Sequence, residues 1–208
     1  NYIGIIPPII LQAEPKADDA DNPLRMMVGG GCPLELIDVM ENRFNLAMIE
    51  GYGLSELGIP IANSIHTRKK DSMGQVVPGY QVKLVNDGGE EVGVGEIGEI
   101  LVRVNRPYSI MLEYYNMPVE TVEAWRDLWF HTGDLAKKDE DGYYYFVDRK
   151  KDALRRRGEN ISSFEVERAI NTHPKVLESA AVAVKSELAE DEVKICVVLK
   201  PGVSLRSE

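Results

Sequence analysis

The chain has 208 residues, 44% of them hydrophobic, with 34 acidic against 24 basic side chains and a formal net charge of −10. This length supports one large or two small domains with real cores, and the summed negative field argues against general affinity for nucleic acid or an anionic lipid surface. With no run of about 18 apolar residues and an opening, NYIGIIPPIILQAEP, too short and proline-interrupted for a secretory core, no transmembrane segment is expected and a reducing cytoplasm is the default.

In chain order, CPLELIDVMENRFN spaces apolar residues at Leu36, Ile37, Met40 and Phe44 and predicts a helix over about 33–44, with Pro33 tolerated in its first turn. LAMIEGYG reads as a short buried strand running into a glycine-punctuated loop. From about 74 to 104, QVVPGYQVKLV, the turn NDGG and GEIGEILVRV alternate as strands do and predict a small antiparallel sheet or barrel. PVETVEAW is a short helix, and LAKKDEDGYYYFVD a hairpin turning at Asp141 and Gly142. SSFEVERAINTHP then offers a capping box, Ser162 with Glu165, ahead of Phe164, Val166 and Ile170, and stops before Pro174. ESAAVAVKS and VKICVVLKPG are apolar strands, so a helix and two strands begin an α+β unit distinct from the β-rich part before it. The boundary falls near 148–158, inside the segment DRKKDALRRRGENISS.

That segment places six of the 24 basic side chains within ten positions, 148–157. As a solvated, self-repelling surface loop it needs no ligand. In an acidic chain it also suits a local task, meeting a small, highly charged ligand such as a nucleotide or a phosphate tail, and its place at a domain junction suits a hinge. Three further stretches carry candidate chemistry. In VGGGCPLEL, glycines ahead of a helix let backbone approach a flat or anionic ligand, although glycine turns between strand and helix are also common structural devices. In GYGLSEL, Tyr52 could lie against a base while Ser55 and Glu56 offer a hydroxyl to phosphate and a carboxylate to Mg²⁺; a loop with a partly buried tyrosine is the alternative. In FHTGDL, Asp134, just after a Thr-Gly turn, is placed to accept hydrogen bonds from ribose hydroxyls, with an ordinary Asx turn as alternative and His131 as a structural hydrogen-bonder. Cys32 and Cys196 lie far apart and outside any metal-ligand spacing, which suggests neither a disulfide framework nor a zinc site.

These stretches in this order, followed by DRKKDALRRRGENISSFEVE, resemble the adenylate-forming superfamily of acyl-CoA ligases, nonribosomal adenylation domains and luciferases, from about residue 25 to the end. GENISSFEVE with HPKVLESAAVAV looks most like acid-CoA ligases, in particular the bacterial crotonobetaine/carnitine-CoA ligases. The resemblance implies a fold of α/β and α+β parts: 1–150 as the C-terminal portion of a large AMP-binding domain with a small β-barrel-like subdomain, and 151–208 as the beginning of a small mobile domain. It implies ligation of a small-molecule carboxylic acid to coenzyme A through an acyl-adenylate, with ATP and Mg²⁺. Residue by residue, Gly31, Cys32 and Pro33 would line the adenine with Tyr52 stacking on it, Ser55 would touch phosphate, and Glu56 would hold Mg²⁺. Asp134 and Arg149 would grip the ribose, Lys151 would be the hinge, and Gly158 would approach the thioester-forming site. Arg155, Arg156 and Arg157 are candidates for the coenzyme A side.

The resemblance also implies missing parts, since neither the phosphate loop ending in Lys-Gly nor a Pro-Lys-Thr-type segment with the adenylating lysine is present. Both ends read as cuts, so the expectation is a central-to-C-terminal fragment, inactive alone, whose exposed apolar surface favours homo-oligomers. Ser55 stands where Thr is commoner, which keeps the hydroxyl. An adenylation domain loading a carrier protein and a non-catalytic nucleotide-binding relative are the competing expectations.

Overall fold

Two parallel steps followed by two antiparallel ones build the first sheet of the computed structural model, which describes residues 1–151, 154–156, 159–185 and 191–204. Its strands are β1 (Tyr2–Ile3), β2 (Met26–Gly30), β3 (Ala47–Leu54), β4 (Gly58–Ala62) and β5 (Gln75–Val76), adjacent in that order. β1, β2 and β3 run parallel, so helices must carry the chain back between them; these are α1 (Ile6–Leu11) and α2 (Leu34–Phe44). The apolar period of α2 works as expected, burying Ile37 and Met40 in a cluster with Tyr2, Met27 and Met48. Its start differs slightly: Pro33 (φ −55°, ψ 130°) is the N-cap rather than a first-turn residue, and Asn45 in the left-handed conformation ends the helix.

β3 does not end at its glycines. It continues through Gly51 and Gly53 because β4 supplies an antiparallel ladder there, Gly51 opposite Ala62 and Tyr52 opposite Ile61, with a bulge before Leu54. The fit is close. A Cβ on Gly30 would lie 2.4 Å from the carbonyl oxygen of Gly51, so no side chain is admitted at that point of β2. The next residue, Gly31, has φ +79° and turns the chain out of the strand.

The second sheet is formed by β6 (Tyr80–Val85), β7 (Gly98–Val104), β9 (Trp129–Lys138) and β10 (Tyr144–Arg149) in the order β10-β9-β7-β6, with β8 (Trp125–Arg126) pairing β9 after helix α3 (Pro118–Ala124). It is a curled half-barrel rather than a closed barrel, and Gln75 and Val76 join the first sheet instead of this one. Leu84, Ile100 and Val102 alternate inward to meet Phe130, Ala136 and Tyr144 in the larger core, and Trp125 packs edge-on against Phe130 at 5.4 Å.

The chain divides into two compact units, Asn1–Thr132 with Ala136–Phe146, and Gly133–Leu135 with Val147–Glu208. In the second unit β11 (Leu154–Arg156) and β12 (Glu159–Ile161) form a hairpin, α4 (Ser163–Asn171) follows, and β13 (Val176–Lys185) pairs antiparallel with β14 (Asp191–Leu199). The capping box is real at its N-cap: the Glu165 N–H donates to Ser162 Oγ at 3.1 Å, and Ser162 Oγ donates to the Val147 carbonyl at 2.8 Å. Buried Asp148 accepts from the Ser163 N–H at 2.6 Å, the Ser163 hydroxyl at 3.0 Å and the Arg149 N–H at 2.8 Å, placing a carboxylate at the α4 N-terminus. Cys32 is buried, Cys196 exposed, and both are free thiols.

Within the first unit, Lys69 Nζ lies 2.6 Å from Asp139 Oδ2 and over the rings of Tyr143 and Tyr145, fastening the β4–β5 connection to the β9–β10 hairpin. Burial pushes the Asp139 carboxyl up, but bonds from Lys69, the Tyr143 N–H and the Tyr145 hydroxyl outweigh it and hold the group down at about 2.

Two expectations follow from this packing. Gly30→Ala, which drives a Cβ into a backbone oxygen that cannot swing away, should cost about 1–3 kcal/mol, read as a fall in the urea midpoint at unchanged slope; an unchanged midpoint would mean the strands part without penalty. For Asp139, a depressed folded value means stability that is present above the unfolded value of about 4 and lost as pH falls through about 2. The gap in urea midpoint between wild type and Lys69→Met should therefore be widest near neutral pH and narrow between about pH 4 and 2. A gap independent of pH would show that Lys69 acts by packing alone.

Candidate functional site

The loop leaving β2 is held by a carboxylate from β3. The Gly31 N–H donates to Glu50 Oε2 at 3.1 Å, the Cys32 N–H faces the same carboxylate, and the Tyr2 hydroxyl donates to Oε1. Burial raises the Glu50 carboxyl, opposed by these three donors, and burial followed by the Glu50 bond raises the Tyr2 hydroxyl. Cys32, buried beside Glu50 and Glu35, has its thiol pushed up to about 11, so it is protonated near neutral pH and is no nucleophile. Gly31 and Pro33 are exposed. The predicted trio Gly31, Cys32 and Pro33 thus offers backbone to solvent while its inner side is fixed. Of the glycines before α2, Gly29 and Gly30 are required by strand packing and Gly31 by its positive φ.

Tyr52 lies on β3 with its ring in the larger core and 8% of the residue exposed. Ser55 and Glu56 follow in the turn 55–57, closed by a 3.2 Å bond from the Leu57 N–H to the Leu54 carbonyl and anchored by fully buried Leu57. Ser55 is exposed and Glu56 half-buried. The Glu56 main-chain oxygen accepts from the Met111 N–H at 2.8 Å, and its Oε1 accepts from the Tyr114 hydroxyl at 2.9 Å. Burial, then Glu56, pushes the Tyr114 hydroxyl up to about 12. Among the described residues no group of three or more His, Cys, Asp or Glu could enclose a metal ion. A lone carboxylate still suits Mg²⁺, which is usually held by one or two carboxylates together with phosphates and waters.

In the second unit, Asp134 is buried and sits inside β9. The Thr-Gly pair before it lies within the bounds of β9, but Gly133 has φ +71°, so the turn that FHTGDL suggested is a left-handed kink inside the strand. The Gly133 carbonyl accepts the Lys150 N–H at 2.7 Å, tying this point of β9 to the segment after β10. Arg149 closes β10, Lys151 follows in a turn, and both are exposed. Arg155 and Arg156 pair by backbone with Asn160 and Glu159, whereas Arg157 and Gly158 lie outside the described residues. His131, in the first unit, has Nδ1 3.2 Å from the Arg126 guanidinium and 3.5 Å from Glu99, in keeping with a hydrogen-bonding role.

Sequence reasoning missed Glu50 and Tyr114, which hold the two loops of the first unit. A single carboxylate in the apolar run LAMIEGYG was the available signal for Glu50; nothing local marked Tyr114.

A family model described as AMP-binding enzyme matches residues 6–115. The chain is 38% identical over 189 residues, 89% of its length, to a long-chain-fatty-acid–CoA ligase of Yersinia pestis. It is 35% identical over 171 residues, 81% of its length, to a crotonobetaine/carnitine–CoA ligase of Salmonella paratyphi B. It spans about a third of the length of these curated relatives (33% of each). Among solved structures, an anthranilate CoA ligase in complex with anthranoyl-AMP superposes with a TM-score of 0.75 at 30% identity, covering 93% of this chain and 38% of that one. A match that takes in more than half of the residues, on the loops and strands described above, shows that the chain belongs to the AMP-binding enzyme family.

Proposed function

We propose that the full-length protein is an ATP-dependent acid-CoA ligase of the cytoplasm. A substrate carboxylate attacks the α-phosphorus of ATP, releasing pyrophosphate and forming an acyl-adenylate; the thiol of coenzyme A then attacks the acyl carbon and AMP leaves. The observation that carries this is the placing of two loops beyond the carboxyl ends of adjacent parallel strands. Residues 31–33 leave β2 there, and β3 runs on past its parallel section to the turn bearing Ser55 and Glu56. Ligands of α/β sheets bind at such ends. The named activities of the two curated relatives, both CoA ligases, support the same chemistry.

In this proposal Gly31, Cys32 and Pro33 line the adenine, and Tyr52 stacks on it. Ser55 donates its hydroxyl to a phosphate oxygen, and Glu56 holds Mg²⁺. When bound, Mg²⁺ supplies positive charge to the phosphate oxygens. Asp134 accepts from the ribose hydroxyls and Arg149 donates to the ribose, while Lys151 is the hinge of a mobile C-terminal domain. The acid is a carnitine- or crotonobetaine-like or other acyl acid. No helix among the described residues is long and apolar enough to cross a membrane.

The test is AMP release by the full-length protein with ATP and Mg²⁺ across carnitine, crotonobetaine and short, medium and long acids, with and without coenzyme A. One acid class should give strong release that requires coenzyme A. Glu56→Gln should lower it by about 100-fold or more, and Asp134→Ala should raise the apparent KM for ATP by about 10-fold or more. AMP release that requires a carrier protein and ignores coenzyme A would transfer the assignment to a carrier-loading enzyme. Nucleotide binding without release for any acid would leave a non-catalytic relative.

A further inference from the structure

Glu56 is gripped at two points by one segment. The Met111 N–H holds its main-chain oxygen and the Tyr114 hydroxyl holds Oε1, at 2.8 and 2.9 Å. The segment is itself fastened. The Tyr114 N–H donates to Thr121 Oγ1 at 3.0 Å, and that hydroxyl donates to the Met117 carbonyl at 2.8 Å in the first turn of α3. Glutamate has three side-chain torsions and a large rotamer entropy when exposed. A hydroxyl bonded to one carboxylate oxygen removes most of that freedom and leaves the second oxygen to bind a cation. Mg²⁺ demands near-ideal octahedral geometry, so a fixed ligand oxygen is worth more to it than a swinging one.

We propose that Tyr114 is the positioning residue for Glu56, holding Oε1 through its hydroxyl so that Oε2 is presented to the divalent cation of the metal–nucleotide substrate. The proposal rests on the reading of Glu56 as the metal ligand. Outer-shell partners of ligating carboxylates typically change metal affinity by about 10–100-fold. The Tyr114 ring is not needed for this, only the hydroxyl, so Tyr114→Phe isolates the effect.

The experiment is calorimetric titration of the full-length protein with a non-hydrolysable ATP analogue, with and without Mg²⁺, and with AMP in the absence of metal. The quantity read is the gain in analogue affinity that Mg²⁺ confers. Tyr114→Phe should shrink that gain by about 10-fold or more, with AMP affinity and melting temperature close to wild type. Glu56→Gln is measured beside it. If Glu56→Gln abolishes the gain and Tyr114→Phe leaves it intact, the positioning role is wrong and the metal-ligand reading stands. If Glu56→Gln also leaves the gain intact, the metal-ligand reading is wrong and the positioning role goes with it. Loss of metal-free AMP affinity in Tyr114→Phe, equal to its loss for the Mg²⁺ complex, would show a general support of the fold and overturn the proposal.

Discussion

A change of partner within β3 governs the first unit. Through residues 47–50 this strand hydrogen-bonds parallel to β2, and from Gly51 onward it also pairs antiparallel with β4 on its other edge. Parallel pairing needs a return helix, which places α2 after β2; antiparallel pairing needs only the short turn 55–57. The two candidate loops are consequences of these two connections. Where they begin, Gly30 and Gly51 approach too closely for a side chain, and Glu50 turns its carboxylate onto the backbone of Gly31 and Cys32. A half-buried carboxylate is costly unless donors surround it. Here the donors are the loop and Tyr2, so the group that would otherwise destabilise the strand fixes the path of the chain out of it.

The turn bearing Ser55 and Glu56 is held differently. Its backbone is set from beneath, by Leu57 in the larger core with Ile61, Ile100 and Phe130, and from the side by the Met111 N–H. Core packing tolerates little displacement, because interiors are packed to crystal-like density. The orientation of the Glu56 carboxylate is a separate matter that packing does not settle, and a hydrogen bond settles it. Position and orientation of the candidate ligand thus come from different forces. A substitution can alter one while sparing the other.

How much of this could be read in advance follows the range of each interaction. The period of α2, the alternation of β6 and β7 and the cap of α4 are local signals, and each became the element it suggested. LAMIEGYG misled because glycine in isolation signals a turn. In the fold β4 supplies a ladder beyond Glu50 and keeps Gly51 and Gly53 within β3, while Gly133 retains the positive φ of a turn, +71°, inside β9. Glu56 and Asp134 were named from their local stretches, and the resemblance assigned them the same roles. Their supports were not, since Glu50 meets Gly31 across 19 residues and Tyr114 meets Glu56 across 58. No pattern along the chain encodes a contact at such separations without the sheet that brings them together.

The basic segment offers the same lesson on a smaller scale. Its six cations in ten positions would repel one another and, as a free tail, would spread into solvent. The described residues on its two sides are tied to each other. Asp148, immediately before Arg149, bonds both the N–H and the hydroxyl of Ser163, fifteen residues on, and Ser162 bonds the Val147 carbonyl beside it. These bonds close the segment at its base, and the entropy of closing a loop grows only slowly with its length. The closing contact is strong for its size because the carboxylate sits at the N-terminus of α4, where backbone donors and helix dipole both favour negative charge. A single buried acid thus ties the residue before Arg149 to the start of α4 within the second unit.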